Sequence, residues 1–170
     1  MSDKILYRAK RFNLVARAEY SRQNHSQSVR ELVIHPGSVV ILAQTDEQQI
    51  VMIENQRVSV QQALIELPAG TLTEGEDPLE CAKRELREET GYEASQWRPL
   101  FSFYACPGIS DEQMFVFFAT GLTQHGQRLE DDEKITVFLQ SIDQVLASVH
   151  RGAIKDAKTI ASLLYWARFV

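Results

Sequence analysis

The chain has 170 residues, a formal charge of −5 and an isoelectric point near 5.4, so it is long enough for one hydrophobic core and gives no reason to expect two large domains. The acidic balance argues against non-specific binding to nucleic acid or to an anionic membrane surface, and we expect a small-molecule partner. The first ten residues lack the apolar stretch of a signal peptide, no apolar run is long enough to cross a bilayer, and Cys81 and Cys106 show no metal or disulfide spacing, so we expect a cytoplasmic protein.

The amino-terminal segment predicts a small antiparallel sheet. Apolar and polar residues alternate over residues 5–18 and 28–34, and a polar turn with the sequence SRQNHSQ separates the two predicted strands. Pro36 marks a boundary. We therefore expect residues 1–36 to form a subdomain that packs on the rest of the chain or on a second copy, and residues 37–170 to form the main domain.

Two further strands are predicted at residues 38–44 and 49–56, joined by the polar turn TDEQ. We expect these strands to form a hairpin with one buried face. Arg57 follows at the end of the second strand.

A strand over residues 63–67 leads into Pro68 and Gly70, which favour a turn. Such a turn brings backbone carbonyls close to the helix that follows. The carbonyl of Ala69 is therefore a candidate to complete a metal shell.

The next helix has clear signals at both ends. Asp77 is a good N-cap, Pro78 fits the first helical position, and Glu80 stands where a capping box has its returning carboxylate. Gly91 supplies a left-handed stop. The stripe that should face a core comprises Leu79, Ala82, Leu86 and Thr90.

Three carboxylates lie on the neighbouring stripe of this helix. Glu85, Glu88 and Glu89 are close in sequence at helical spacing and project together. Like charges at such a spacing destabilise a bare helix by roughly 0.2–0.5 kcal/mol per pair. If a divalent cation binds between them, the same carboxylates become its ligands. Hard oxygen donors suit Mg²⁺ or Mn²⁺. The alternative is a solvated acidic face whose local counter-charges are Lys83, Arg84 and Arg87.

The remaining elements complete an α/β pattern. Strands are predicted over residues 97–104, 113–119 and 135–139, and helices over residues 141–150 and 156–169. The apolar stripe of the last helix comprises Ile160, Leu163, Leu164 and Trp166. We expect the phenylalanines of the second of these strands, at positions 115, 117 and 118, to lie in the sheet core.

The loop and helix from Gly70 to Tyr92 resemble the Nudix box of the Nudix hydrolases. The matching positions are Gly70, Glu76, Arg84, Glu85, Leu86, Glu88, Glu89, Gly91 and Tyr92. This resemblance implies a loop–helix–loop metal site inside an α/β/α sandwich with a mixed sheet. It also implies hydrolysis of a nucleoside diphosphate that is linked to another group.

Flanking segments resemble the ADP-ribose pyrophosphatases and related nucleoside diphosphate sugar hydrolases. They are IELPAG before the box, CPGISDEQ and EDDEKI after it, and the ending GAIKDAKTIASLLYWARF. The resemblance implies that Pro107 marks an ADP-ribose hydrolase, that Arg57 contacts the diphosphate, and that the protein is a homodimer with exchanged N-terminal strands. It further implies a general base on an acidic loop over the site, for which Glu133 is our first candidate and Asp131 the second. The alternative for that loop is a hydrophilic segment without a catalytic role.

Hydrolysis of a pyrophosphate bond needs a water nucleophile and neutralisation of charge on the phosphate oxygens, which divalent metals provide. Glu85 and Glu89 are therefore the first-choice metal ligands, with Glu88 as a third. We expect Arg84 to orient a carboxylate through charge-assisted hydrogen bonds. We expect Glu76 to position the helix or to bridge to Arg84.

Substrate recognition requires further polar and aromatic groups. Glu66 is a candidate for contact with ribose hydroxyls or with a metal, and adenine is expected to stack on Tyr7, Phe12 or Tyr20, which the sequence does not rank. Three functions stay open: hydrolysis of ADP-ribose or another nucleoside diphosphate sugar, Nudix hydrolysis of a different nucleotide such as a nucleoside triphosphate, and ligand sensing without cleavage. The complete set of box carboxylates disfavours the last of these.

Overall fold

The order of strands and helices follows the prediction except at two places: residues 5–18 form two strands, and a short strand lies at Ala69–Thr71, where a turn was expected. The computed structural model describes residues 3–20, 26–129 and 134–170. Its strands are β1 (Lys4–Arg8), β2 (Asn13–Tyr20), β3 (Gln27–Ile34), β4 (Ser38–Ala43), β5 (Gln49–Arg57), β6 (Gln62–Glu66), β7 (Ala69–Thr71), β8 (Tyr92–Tyr104), β9 (Gln113–Gln124) and β10 (Ile135–Ser141). Its helices are α1 (Pro78–Glu85), which continues into a π-helical turn (Leu86–Thr90), α2 (Ile142–His150) and α3 (Ala157–Phe169).

The N-terminal segment forms an antiparallel sheet in the order β1-β2-β3. The prediction of one strand over residues 5–18 was wrong, because the chain reverses between Ala9 and Phe12, where the Ala9 N–H donates to the Phe12 carbonyl at 2.9 Å. Two adjacent cations, Lys10 and Arg11, form the tip of this hairpin and interrupt the alternating pattern. Most of the predicted SRQNHSQ turn lies outside the described residues.

This sheet is joined to the main domain through β3. The Val33 N–H donates to the carbonyl of Ile109 at 2.8 Å, and the Asp111 N–H donates to the carbonyl of Val33 at 3.2 Å. The Asp111 carboxylate also accepts a hydrogen bond from the His35 N–H at 2.8 Å. The loop between β8 and β9 therefore fixes the N-terminal sheet against the rest of the chain.

The main domain contains two sheets rather than the expected hairpin of β4 and β5. One is mixed, in the order β7-β4-β9-β8, with β4 parallel to β9, and the other is antiparallel, in the order β10-β5-β6. All six residues of β4 are buried, so the predicted hairpin with one buried face was wrong. A strand buried on both faces has a continuous apolar sequence, and periodicity alone does not reveal which strands flank it.

The two faces of β4 contact different helices. Val39 and Ile41 pack in one core cluster with residues of α1, while Val40 and Leu42 pack in a second cluster with residues of α2 and α3. The helices thus cover both faces of the strands, which confirms the predicted α/β/α arrangement with a mixed sheet. No helix in the described ranges is long and apolar enough to cross a membrane.

The end signals of α1 act largely as predicted. Asp77 accepts hydrogen bonds from the backbone N–H groups of Leu79 and Glu80, and Gly91 ends the helix in a left-handed conformation with φ of 75°. The capping box predicted at Glu80 was wrong, because its carboxylate pairs with Lys83 at 2.7 Å. The last turn widens to a π-helix, in which the Thr90 hydroxyl donates to the Leu86 carbonyl.

The C-terminal half also follows the prediction, with longer strands. Ser141 caps α2 in a capping box and Asp156 caps α3. The phenylalanines of β9 belong to the two core clusters, as expected. Leu164 was wrongly assigned to the inner stripe of α3, since 49% of it is exposed.

Gly91 provides a test of the helix end. Replacing it with alanine adds the strain of a positive φ, and the new Cβ would also lie 2.6 Å from the backbone carbon of Gly126. We expect Gly91→Ala to lower the free energy of unfolding by about 2 kcal/mol or more, measured by urea denaturation. Gly152→Ala is the matched control, because Gly152 has φ of 72° and open space around it; its cost should be roughly 1 kcal/mol. Equal costs for the two variants would contradict the close approach at Gly91.

Candidate active site

A cavity of about 1170 Å³ lies where the N-terminal sheet meets the main domain. Its walls come from the β1–β2 hairpin, from β5 and β6, from residues 69–76, from α1 and its π-helical turn, and from the start of α3. This arrangement places the carboxylates of the box and Arg57 around one space.

Arg84 lies at the centre of the acidic wall. Its Nε and Nη2 donate to the two carboxylate oxygens of Glu76 at 3.0 and 3.1 Å, and its Nη1 donates to Glu85 at 2.7 Å and to Glu88 at 3.0 Å. The hydrogen bond with Glu76 raises the pKa of Arg84, and the same bond lowers the pKa of Glu76 to about 2. Three carboxylates therefore surround one guanidinium, and the group keeps an excess of negative charge.

Gly70 is required by the position of Glu85. A Cβ built on Gly70 would lie 1.8 Å from the Glu85 carboxyl carbon and 2.0 Å from its Oε1. Any side chain at this position would displace the Glu85 carboxylate from the place where Arg84 binds it. The motif match at Gly70 thus has a steric cause.

Glu89 is almost fully buried and contacts the same strand. It is 3% exposed, and its Oε2 accepts a hydrogen bond from the Ala69 N–H at 2.9 Å. Ala69 itself lines the cavity. The backbone of β7 therefore lies next to both Glu85 and Glu89.

A segment that the sequence did not single out holds the end of this helix. The Gln127 side-chain amide donates to the Glu89 carbonyl at 2.6 Å, and the Arg128 N–H donates to the Glu88 carbonyl at 2.9 Å. The His125 N–H donates to the Gly91 carbonyl at 2.7 Å. A glutamine nearly forty positions away carries no local signal of this contact, because the pairing of β8 with β9 brings it there.

The acidic wall has the donor chemistry of a divalent-metal site. Glu85, Glu88 and Glu89 supply hard oxygen donors beside the backbone of Ala69, and Mg²⁺ typically uses one or two carboxylates together with substrate phosphates. Within the described ranges no three acidic, histidine or cysteine side chains already form a closed metal-ligand group. Instead, Arg84 and the Ala69 N–H bind these carboxylates, so a cation has to compete with them.

The opposite wall carries Arg57, at the end of β5. Its Nε and Nη2 donate to the two carboxylate oxygens of Glu66 at 2.7 and 2.6 Å. Glu66 is completely buried. Burial opposes its ionisation, but the hydrogen bond from Arg57 and the charge of Lys158 outweigh burial and lower the pKa of Glu66. The expected contact of Glu66 with ribose or a metal is not what this geometry favours.

Lys158 was not predicted as a site residue. Its Nζ lies 2.5 Å from Glu66 and 3.0 Å from Asp156, and both Lys158 and Asp156 line the cavity. The sequence identified Asp156 only as the cap of α3. The pairing of β5 with β6 places Arg57 opposite Gln62 and Glu66 opposite Ile53. Nothing local therefore shows that Arg57 reaches Glu66, or that the first turn of a distant helix completes the group.

The structure places the other candidates differently. Phe12 lines the cavity, whereas Tyr7 and Tyr20 are exposed and do not. Pro107 lies in the exposed loop between β8 and β9 and does not line it either. The candidate bases, Glu133 and Asp131, lie outside the described residues.

The two cysteines lie in different environments. Cys81 is a buried packing residue of α1, where burial raises the pKa of its thiol to about 12, and Cys106 is exposed and unpaired with it.

Comparison with known proteins places the chain among hydrolases of similar architecture. The NUDIX domain family model matches residues 34–163. A methanol dehydrogenase activator of Bacillus methanolicus is 40% identical over 144 residues, which are 84% of this chain and 78% of the relative. An ADP-ribose pyrophosphatase of Bacillus subtilis is 39% identical, with the same coverage of each chain. A GDP-mannose pyrophosphatase of Citrobacter koseri is 34% identical over 76% of this chain and 72% of the relative.

A solved structure described as an ADP compounds hydrolase has the same fold. It superposes with a TM-score of 0.85 over 99% of this chain and 91% of the other, at 18% identity. The N-terminal sheet is included in that coverage.

The contact between Glu76 and Arg84 makes a prediction about pH. Because the pKa of Glu76 is lowered from 4.5 to about 2 in the folded state, its stabilising contribution is complete above its unfolded value and is lost as the pH falls from 4.5 towards 2. We expect the difference in free energy of unfolding between the unchanged protein and Glu76→Gln to shrink over this interval, measured by urea denaturation. Glu80→Gln, which removes an exposed partner of Lys83, is the control and should show little difference at any pH. A Glu76→Gln difference that does not vary with pH would contradict the assignment.

Proposed function

This chain belongs to the Nudix hydrolase family, and we propose that it hydrolyses the diphosphate bond of ADP-ribose or a related nucleoside diphosphate sugar. The products are then a nucleoside monophosphate and a sugar phosphate. The observation that carries the proposal is the presence of the acidic wall and of Arg57 in one cavity. The pyrophosphatase relatives support the same class of substrate.

Nudix hydrolases generally use divalent metal ions, and we infer that the ion here is Mg²⁺ or Mn²⁺. Glu85, Glu88 and Glu89 would hold it together with the carbonyl of Ala69, since all four supply hard oxygen donors. When bound, such an ion neutralises charge on the diphosphate and activates water. Arg84 keeps the carboxylates grouped before the ion arrives, because its guanidinium contacts two of the three.

The remaining roles follow from position. Arg57 contacts the diphosphate from the opposite wall, since its guanidinium offers planar donors to phosphate oxygens. Phe12 stacks on the nucleobase, because it is the one of the three aromatic candidates that lines the cavity. The general base stays with the acidic loop, with Glu133 preferred to Asp131. Pro107 stays a candidate for substrate contact. Its loop forms backbone hydrogen bonds with β3 of the N-terminal sheet.

We also propose a cytoplasmic homodimer in which the N-terminal subdomain, residues 1–36, packs against a second copy. This sheet exposes apolar side chains, which a partner would cover. They are Ile5, Leu6, Tyr7, Tyr20 and Val29. The free thiol of Cys106 on the surface supports a reducing compartment.

Two other functions are less well supported. If the substrate were a nucleoside triphosphate, the N-terminal hairpin would line the cavity but would have no role in binding. A sensing domain needs no catalytic carboxylates, yet all three box carboxylates line the cavity together with Arg84.

The proposed reaction is tested with a substrate panel. Purified protein is incubated with ADP-ribose, GDP-mannose, a uridine diphosphate sugar and a nucleoside triphosphate in the presence of Mg²⁺, and released phosphomonoester is measured. We expect the nucleoside diphosphate sugars to be cleaved, EDTA to abolish turnover, and Glu89→Gln to lower kcat by at least about 10³-fold with little change in Tm, because a metal ligand is lost. Preferred cleavage of the triphosphate, or an unchanged kcat in Glu89→Gln, would refute the proposal.

The base-stacking role of Phe12 makes a separate prediction. Stacking on an aromatic ring contributes roughly 1–3 kcal/mol per base, so Phe12→Ala should raise KM for ADP-ribose on the order of tenfold while kcat stays within about twofold. Tyr7→Ala is the matched control, because Tyr7 belongs to the same hairpin and does not line the cavity. A rise in KM for Tyr7→Ala that equals the rise for Phe12→Ala would place the base elsewhere.

A further inference from the structure

The wall opposite the acidic box contains a connected group of four charges, two of which are buried. Arg57 and Lys158 supply the cations, and Glu66 and Asp156 supply the anions. Glu66 is 0% exposed and Lys158 is 9% exposed. Burying a charged side chain costs free energy unless it is paired and hydrogen-bonded. Each buried charge in this group therefore needs a partner of opposite charge.

Glu66 is fully engaged within this group. Its Oε1 accepts from Arg57 Nε, and its Oε2 accepts from both Arg57 Nη2 and Lys158 Nζ. The contact with Arg57 is therefore a two-point contact between planar groups, which fixes the orientation of the guanidinium as well as its position. Glu66 borders the cavity, but it is completely buried and both of its oxygens accept these bonds, so its carboxylate is already engaged by Arg57 and Lys158.

All four residues line the cavity, and Arg57 is the most exposed of them. Its side chain is 35% exposed and lines the cavity, and Glu66 uses only its Nε and Nη2. Nη1 is thus the part of the guanidinium that Glu66 does not use. An arginine at the end of a strand otherwise has several rotatable bonds, and ordering them on ligand binding costs free energy.

The first turn of α3 holds Glu66 in place. Lys158 lies in this turn and is itself paired with the N-cap Asp156. The Thr159 hydroxyl accepts a hydrogen bond from the Leu67 N–H at 2.8 Å and donates to Asp156 at 2.6 Å. The end of β6 and the start of α3 are therefore connected through both backbone and side chains.

We propose that Glu66 and Lys158 are positioning residues: Lys158 holds Glu66, and Glu66 holds the Arg57 guanidinium in the orientation that binds the diphosphate. This inference rests on the proposed function. It adds that the C-terminal helix, α3, helps to hold the substrate site in place. Neither residue touches the substrate. Their effect on binding passes entirely through Arg57.

Double-mutant cycles test this dependence. Glu66→Gln and Lys158→Met are each made alone and together with Arg57→Ala, and kcat, KM for ADP-ribose, Tm and the Kd for inorganic pyrophosphate with Mg²⁺ are measured. Each single variant should raise KM and Kd about tenfold, which corresponds to ~1.4 kcal/mol, and change kcat by less than about threefold. In the Arg57→Ala background the same substitutions should change KM and Kd by less than about twofold.

Two control variants remove one negative or one positive charge near the group of four charges without altering any of its members. Glu54→Gln alters an exposed carboxylate of β5, and Lys155→Met removes an exposed cation three residues before Lys158. Both should leave KM and Kd within about twofold of the unchanged protein.

The outcomes separate the possible roles. A rise in KM that persists in the Arg57→Ala background would show direct contact of Lys158 or Glu66 with the ligand and would overturn the inference. A loss of Tm and kcat with unchanged KM and Kd would reduce the group to a structural one and would also overturn it. A protein that cleaves no nucleoside diphosphate sugar, yet shows the predicted cycle for pyrophosphate, would refute the proposed substrate class and retain the positioning role. A protein that neither cleaves these sugars nor binds pyrophosphate would overturn both.

Discussion

The guanidinium of Arg84 lies among the carboxylates of Glu76, Glu85 and Glu88, and the acidic wall depends on this contact. Without a cation, side chains of like charge at these positions would repel each other and the helix would lose stability. Arg84 offsets only part of that charge. It binds Glu76 at two points, which connects the loop to the helix, and gives its remaining group to Glu85 and Glu88. The loop and helix are thus held together while the excess negative charge faces the cavity.

In the opposite wall the charges are reversed. There a buried carboxylate, Glu66, holds two cations, and Arg57 is the more exposed of the two. A diphosphate between the two walls would meet a fixed guanidinium on one side and the acidic group on the other. The acidic side attracts such a ligand only together with a divalent cation, which is the electrostatic reason to expect that metal and substrate bind together.

The acidic wall is built on the most buried part of the fold. Strand β4 is covered by α1 on one face and by α2 and α3 on the other, and β7 pairs with it directly. Because β7 pairs with β4, Gly70 lies close to Glu85 and the Ala69 N–H lies within hydrogen-bonding distance of Glu89. The N-terminal hairpin closes the cavity from outside the domain and contributes Phe12.

The sequence by itself determined what is local in this protein. The caps Asp77 and Asp156, the left-handed Gly91 and the helical spacing of Glu85 and Glu89 are properties of short segments, and each could be predicted from residue chemistry and spacing. The motif match also identified Gly70, although the reason for a glycine there became clear only when the helix was placed beside it.

Only the tertiary structure decided what depends on distant pairs. The sequence did not show that β4 and β5 belong to different sheets, that Gln127 binds the end of the box helix, or that Lys158 completes the pair of Arg57 and Glu66. Periodicity reports which side of an element is apolar, but it does not report which element covers that side. Contacts between residues far apart in sequence arise from strand order and helix packing, and these follow from how the whole core closes, for which no single segment carries a signal.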